Sequence, residues 1–272
     1  MNHDNVKITD EKEFSNILNV FCSGAAVKII FMAECGTTKK EIKRETKYNE
    51  SAVYRLLDRL GDLNLIKYDS EKQIVLTSLG KIFKKQLIAI TNIGLMGNML
   101  NKHYWQTHLI NFPEQFLPHI YVFHDAEFIE NAKINDDSVV LKKTLDMALN
   151  GKYFYGIISG ITENYVKLVE RITKEGKEVK IIASNTVEKV ITKDKFLYDK
   201  ISELRKYKNA ELIFTDKIDK FTLLFTDKEV MLFLFKKDGK IEWNECLYSK
   251  NIQTLNFSKE IFEFYEGKAI EI

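Results

Sequence analysis

Apolar residues recur every three or four positions along most of the first hundred residues, a spacing that predicts amphipathic helices. Residues 11–33 carry two such stripes, and Gly24 is predicted to separate two helices there. The stripes consist of Phe14, Ile17, Leu18 and Phe21, and then Val27, Ile30 and Phe31.

The clearest helical pattern begins at Asn49, whose side-chain oxygen is suited to cap a helix. The pattern predicts a buried back, made of Val53, Leu56, Leu57 and Leu60. It leaves an open front, made of Ser51, Tyr54, Arg55, Asp58 and Arg59. A shorter helix over residues 38–45 is predicted to bury Ile42 and to expose Lys39, Lys40, Lys43 and Arg44.

The period then changes from helical to extended. Residues 65–68 and 73–76 are short β-prone runs around the polar tetrapeptide Asp69-Ser70-Glu71-Lys72, which predicts a two-stranded hairpin. A long helix follows, capped by Thr77 or Ser78 and ending near Leu100. Its last turns are apolar on more than one side, so we expect it to pack against a partner chain or a second domain.

Positive charge is concentrated in these two short helices. Residues 37–59 hold seven Lys and Arg against four acids, in a chain of net charge +2. Helix, turn, helix and hairpin with this charge predict a winged-helix DNA-binding domain, although any small helical domain also has a charged, solvated face. The predicted DNA-binding residues are Lys39, Lys40, Lys43, Ser51, Tyr54, Arg55, Arg59 and Lys72.

Four short motifs resemble archaeal winged-helix transcriptional regulators. They are T-x-x-E-I at 38–42, S-x-V-x-R-x-L-x-x-L at 51–60, N-L-I at 64–66 and L-T-x-L-G-K at 76–81. The resemblance implies that the second helix enters the DNA major groove.

Residues 101–136 form an irregular connector with four of the five histidines. His103 and His108, and then His119 and His124, are each five positions apart, whereas a helical metal site needs spacings that share a face. We therefore expect inter-domain packing and predict no metal and no cofactor.

From residue 137 onward, helical and strand-like runs alternate and end in four consecutive strands and a closing helix. This order predicts an α/β domain with a mixed sheet, and Asp238-Gly239 is its clearest hairpin turn. The predicted fold class is thus α+β. The predicted domains are a winged-helix DNA-binding domain with flanking dimerisation helices over 1–100, a connector over 101–136, and an α/β effector or dimerisation domain over 137–272.

The second half resembles the effector-side domain of archaeal regulators of the methanogenesis-regulator type, and more distantly those of the sugar-sensing TrmB group. The residues concerned are WQTHLINFP at 105–113 and G-x-x-V-x-x-I at 176–182. The resemblance implies a phospholipase D-like fold without catalysis. In agreement, no histidine in the sequence begins an H-x-K motif.

Length and composition narrow the class of protein further. The 272 residues suffice for two cores, and no apolar run reaches the roughly 20 residues that span a bilayer, so we expect a cytoplasmic protein without a membrane partner. Three widely spaced cysteines, Cys22, Cys35 and Cys246, indicate neither a disulfide framework nor a zinc site.

The sequence predicts a transcriptional regulator that binds double-stranded DNA as a homodimer and responds to a small-molecule effector through residues 137–272. It is not predicted to be an enzyme, because we find no phosphate-binding loop, nucleophile motif or paired metal carboxylates. The alternatives are a nucleic-acid-associated enzyme such as a nuclease, and a winged-helix module for protein interactions.

Overall fold

The computed structural model describes residues 11–102, 109, 112–131, 138–216, 218, 220–236, 241 and 243–270. The chain divides into two compact units, Met1–Thr91 and Asn92–Ile272, and the division falls within one long helix. The predicted division into domains over 1–100, 101–136 and 137–272 remains a prediction. No helix among the described residues is long and apolar enough to cross a membrane.

The first unit contains the predicted order of helices and hairpin. Its elements are α1 (Glu11–Phe21), α2 (Gly24–Met32), α3 (Lys39–Thr46), α4 (Glu50–Asp62), β1 (Ile66–Tyr68), β2 (Ile74–Leu76) and the start of α5 (Ser78–Lys102). Strands β1 and β2 pair antiparallel. Two helices are present, as predicted, but Gly24 is the first residue of α2, and Ser23 caps that helix. The hydroxyl of Thr77 accepts a hydrogen bond from the Gly80 amide at 2.9 Å to cap α5.

The core of the first unit joins every one of these elements. Ile29 of α2, Ile42 of α3, Leu60 of α4 and Ile74 of β2 are fully buried. Gly80 lets α5 approach the hairpin, since a Cβ there would lie 1.9 Å from the carbonyl oxygen of Leu65. This packing holds α3, α4 and the hairpin as one body.

The second unit contains a large mixed sheet, as predicted, and helices lie on both of its faces. Its elements are a 3₁₀ helix (Leu117–Phe123), β3 (Glu127–Glu130), α6 (Ser138–Asn150), β4 (Tyr153–Ile158), α7 (Glu163–Lys174), β5 (Glu178–Ser184), α8 (Asn185–Lys193), α9 (Lys195–Leu204), β6 (Ala210–Thr215), β7 (Phe221–Phe225), β8 (Val230–Leu234), β9 (Glu245–Ser249) and α10 (Ile252–Ile270).

The described strands are ordered β3-β9-β8-β7-β4-β5-β6. Strands β4, β5 and β6 are parallel, and the other pairs are antiparallel. Alternate residues face opposite layers: Ile158 and Ile181 pack with α6 to α9, whereas Ile157 and Ile182 pack with α10 and the 3₁₀ helix. The mixed α+β fold is therefore confirmed.

Three elements differ from the predictions, each for a local reason. Strand β3 was read as part of the connector, because it is short and has a glutamate at each end. Helix α8 was missed because Ser184 ends β5 and also caps α8, so no turn residues separate the two elements. Helix α10 begins at Ile252 instead of Ser258, whose buried hydroxyl donates to the Thr254 carbonyl within the helix. The predicted turn at Asp238-Gly239 lies outside the described residues.

Candidate nucleic-acid interface

Helix α4 has the buried back and polar front that its sequence predicts. Asn49 caps it, since its side-chain oxygen accepts a hydrogen bond from the Ala52 amide at 2.9 Å. Val53, Leu57 and Leu60 are buried, and Leu56 is half-buried. The apolar back thus fixes the rotation of α4 about its own axis.

The front of α4 is open to solvent. Ser51, Tyr54 and Arg55 are exposed, with Tyr54 at 40%. Within the part of the chain that the structure describes, the side chains of Ser51 and Arg55 form no hydrogen bond or ion pair. A hydroxyl and a guanidinium without partners can donate to base edges or phosphates.

Helix α3 is fixed at its start by a capping box. The Glu41 amide donates to the Thr38 hydroxyl at 3.3 Å, and Glu41 Oε2 accepts from the Thr38 amide at 2.8 Å. The hydrogen bonds that the Glu41 carboxylate accepts, first of all the one from the Thr38 amide, hold the pKa of Glu41 below its ordinary value. Helix α3 ends at Thr46, and its C-terminal capping residue, Lys47, adopts the left-handed conformation with φ of 60°. The turn to α4 is therefore defined at both sides.

Lys39 connects α3 to both α4 and the hairpin. Its ammonium nitrogen lies 4.3 Å from the centroid of the Tyr54 ring and 5.5 Å from that of Tyr68 on β1. Such cation–π contacts at exposed sites contribute about 0.5–1 kcal/mol. Lys39 is one of the predicted DNA-binding residues, and here it also orders two aromatic rings on the same surface.

A groove of about 310 Å³ separates the exposed parts of α3 and α4. It is lined by Lys39, Lys40, Lys43, Glu50, Val53 and Tyr54. Lys43 and Glu50 are 3.8 Å apart and both more than half exposed, so solvent screens their attraction. Three ammonium groups against one carboxylate make this groove suited to an anion.

Arg59 is placed differently from the other predicted residues. It is half-buried, and its Nη2 donates to the Asn16 carbonyl of α1 at 3.3 Å. Its guanidinium thus supports α1, and it would have to leave this bond to reach a phosphate.

Lys72 occupies the tip of the hairpin. The carboxylate of Asp69 closes that loop, since it accepts from the amides of Glu71 at 3.0 Å and Gln73 at 2.8 Å. Lys72 has φ of 62° and is exposed, as is Lys67 on β1. The tip of the hairpin therefore holds the charged side chain of Lys72 away from the core.

Tyr68 was not among the predicted DNA-binding residues, although it lies on the same surface. It is 52% exposed and lies beside Lys39, next to the predicted residues of α4. The alternation along β1 was a usable signal, because Ile66 is buried and Tyr68 ends the strand with its ring in solvent. An aromatic ring beside cations is common on surfaces that bind nucleic acids.

Among the described residues of the second unit, the polar side chains at the strand ends do not form an open site like the groove between α3 and α4. Ser159 donates to the Phe221 carbonyl at 2.8 Å, Thr162 caps α7 and Ser184 caps α8. No group of three or more His, Cys, Asp or Glu residues suited to a metal occurs in the described ranges. His119 is exposed, Nδ1 of His124 lies 3.2 Å from the Tyr121 carbonyl oxygen, and His103 and His108 lie outside the described residues.

Comparison with known proteins matches residues 139–268 to one family, described as the middle domain of the methanogenesis regulatory protein FilR1. This confirms the resemblance to the methanogenesis-regulator type for that part of the chain. No curated protein matches the sequence.

Two solved structures are similar at low identity. One is TrmBL2, described as an archaeal chromatin protein with a novel mode of DNA binding, with 15% identity, a TM-score of 0.41 and coverage of 94% of this chain and 98% of the other. The other is Nuc, a phospholipase D family member from Salmonella typhimurium, with 12% identity, a TM-score of 0.39 and coverage of 52% and 91%. Neither likeness carries an argument about function.

Proposed function

We propose that this chain, whose residues 139–268 match the family described as the middle domain of the methanogenesis regulatory protein FilR1, is a DNA-binding transcriptional regulator with an N-terminal winged helix-turn-helix domain. One observation carries the proposal: the front of α4 presents side chains without partners beside the cationic groove of α3. A regulator needs this combination, because base edges give specificity and phosphates give affinity.

The predicted residues divide into two roles. Ser51, Tyr54 and Arg55 on α4 read base edges in the major groove. Phosphates are held by the cations around α4, which are Lys39, Lys40, Lys43, Arg59 and Lys72. Among these cations Arg59 contributes least, because it already donates to the Asn16 carbonyl.

The regulator acts as a homodimer through α5. Five large apolar side chains of this helix are exposed: Leu79, Ile82, Ile90, Ile93 and Leu95. Their burial against a second copy would remove them from water, and a two-fold dimer places two α4 helices on half-sites about 34 Å apart or a multiple of it. Sedimentation that gives the mass of a monomer at micromolar concentration would contradict this part.

The second unit serves as an effector domain and not as an enzyme. The sequence contains no H-x-K motif, and the hydroxyls of Ser159, Thr162 and Ser184 at the strand ends are used as helix caps or backbone contacts. An effector that binds one dimer arrangement more tightly than another would shift the affinity for DNA.

The proposal is tested by titrating the protein against a fragment of its own upstream region and an unrelated fragment of equal length, at two salt concentrations. We expect tighter binding to the first fragment and a steep loss with salt for both. Equal binding to both would indicate an architectural role. No binding at low salt would exclude DNA as the partner and leave a protein-interaction module as the alternative.

A further inference from the structure

A cavity of about 40 Å³ lies between the parallel strands β4 to β6 and the helices α7, α8 and α9. Aliphatic side chains such as Ile158, Val169 and Ile181 form most of its wall. One water molecule needs about 10–15 Å³, so the space accepts a chain of about three non-hydrogen atoms. Tyr165, Arg205 and Glu211 are the polar or charged residues that line it.

Tyr165 contributes a hydroxyl group that has no partner. The residue is 6% exposed, and its hydroxyl oxygen is buried without a hydrogen bond to any described residue. Burial raises the pKa of this phenol far above its ordinary value, so it stays protonated and can donate. Buried hydroxyl groups are normally bonded, which makes an acceptor within the cavity favourable.

Arg205 contributes a cation at the edge of the same cavity. It is exposed, and its guanidinium carbon lies 5.7 Å from the centroid of the Phe214 ring. It forms no ion pair with any described residue. The neighbouring Glu211 is already paired, since the Lys180 ammonium lies 3.0 Å from its carboxylate. The rim therefore has an unpaired positive charge beside an apolar interior.

We propose that this cavity binds a small organic monocarboxylate, with its short apolar chain inside, its carboxylate at Arg205 and an acceptor on the chain bonded to the Tyr165 hydroxyl. Each part of such a ligand matches one feature of the site. The apolar chain contacts the aliphatic wall, the carboxylate binds the free guanidinium, and the acceptor bonds to the unpartnered phenol. Arginine binds carboxylates well because its planar group donates two parallel hydrogen bonds.

This inference gives the proposed effector domain a ligand class and rests on the proposed function only for its regulatory consequence. Binding to the cavity is a property of the second unit and can be measured without DNA. The two ideas can therefore fail separately.

The test uses the full chain and two probes of equal length, propanoate and pyruvate, in calorimetric titrations at millimolar concentrations. Both have a carboxylate and no more than three other non-hydrogen atoms, and only pyruvate has a carbonyl acceptor within its chain. We expect the wild-type protein to bind pyruvate about tenfold more tightly than propanoate, which is the effect of one buried hydrogen bond.

Two variants separate the contributions. Tyr165→Phe should abolish the preference for pyruvate and leave the affinity for propanoate unchanged. Arg205→Gln should weaken both probes about tenfold or more, because the carboxylate loses a charged partner. The matched controls are Tyr198→Phe on α9 and Arg171→Gln on α7, both exposed residues outside the cavity, and both should bind as the wild type does.

Several results would overturn the proposal. Absence of binding by either probe to the wild-type protein would leave the cavity to water. An unchanged preference in Tyr165→Phe, or unchanged affinities in Arg205→Gln, would place the probes elsewhere. If Tyr165→Phe fails to fold, Val169→Leu provides the second variant, because one added methylene group narrows the cavity and should weaken both probes. Unchanged probe affinities in Val169→Leu would contradict the cavity site.

A final measurement separates this inference from the proposed function. DNA affinity is measured with and without pyruvate. Probe binding with no change in DNA affinity would keep the cavity site and remove its regulatory role.

Discussion

The cations of the first unit's α3 and α4 and those of the second unit's α7 to α9 occur at similar density but have different surroundings. On α3 and α4, Lys40 and Arg55 have no carboxylate partner among the described residues, and the pairs of Lys43 with Glu50 and Arg44 with Glu45 are exposed. On the second unit's helices, the mostly buried Glu170 accepts from Lys174 at 2.6 Å and lies 3.1 Å from Lys200. Cations paired with a mostly buried carboxylate stabilise the fold, whereas an exposed cation without a partner, such as Lys40 in the groove, remains available to a ligand.

The largest effect is expected from Gly80→Ala, which should disrupt the surface of the first unit and spare the second. The added Cβ would meet the Leu65 carbonyl oxygen at 1.9 Å, so α5 must shift away from the hairpin. We expect the free energy of unfolding of the first unit to fall by about 3 kcal/mol. The sequence has no tryptophan before residue 92, so tryptophan fluorescence does not report on the first unit, while circular dichroism follows the whole chain.

Gly94→Ala is the matched control, because a Cβ at Gly94 of the same helix would meet nothing within 4 Å. It should stabilise α5 by about 0.5–1 kcal/mol. Equal effects of the two substitutions would show that the close approach at Gly80 is unimportant.

Arg55→Ala is expected to have the next largest effect, on DNA recognition. Loss of one base contact should cost about 2 kcal/mol, or about thirtyfold in affinity, at one position of the operator. The measurement is binding to a library of operator variants. Arg171→Ala on α7 is the control and should have no effect. A uniform loss across all sequences would reassign Arg55 to a phosphate.

Glu170→Gln tests the paired side of the comparison and should destabilise the second unit by about 1 kcal/mol at neutral pH. Its side chain is 13% exposed, and a hydrogen bond from Lys174, followed by one from Lys200, holds the pKa of Glu170 below its ordinary value. Because the folded-state pKa is lowered, the stabilisation is present above about pH 4.3 and is lost as the pH falls through the folded-state value.

The difference in unfolding free energy between wild type and Glu170→Gln should therefore shrink in acid. Denaturant titrations at several pH values provide the measurement, and the exposed Glu175→Gln serves as a control with little effect at any pH. A difference that persists in acid would mean that the charge of Glu170 is not what stabilises the unit.

The smallest effect is expected from Lys40→Ala. It should weaken all DNA sequences alike and reduce the slope of log affinity against log salt by about 0.9, the value for one phosphate contact. Lys189→Ala on α8, an exposed lysine of the second unit, should leave the slope unchanged. An altered sequence preference in Lys40→Ala would instead indicate a base contact.

Local patterns predicted much of the fold. The caps at Asn49 and Thr77 and the buried stripe of α4 were readable because each depends on residues within a few positions of one another. Helix α8 was not readable, because its cap is also the last residue of β5. Strand β3 gains its stability from pairing with β9, more than a hundred residues later in the chain.

The candidate interface shows the same division. Ser51 and Arg55 were predicted by their places on one helix, and they are exposed as expected. The contact of Arg59 with Asn16 joins residues 43 positions apart. Lys39 of α3 contacts Tyr68 of the hairpin strand β1. Helical periodicity contains no information about such partners.

The sequence by itself determined the helices and hairpin of the first unit, the alternation of strands and helices in the second, and the absence of an H-x-K motif, since these follow from residue type and short spacing. Tertiary structure alone decided which cations are paired, how the strands are ordered and that Tyr165, whose hydroxyl has no partner among the described residues, lines the same cavity as Arg205. The physical reason is that burial and pairing depend on segments brought together from distant parts of the chain, where no local rule operates.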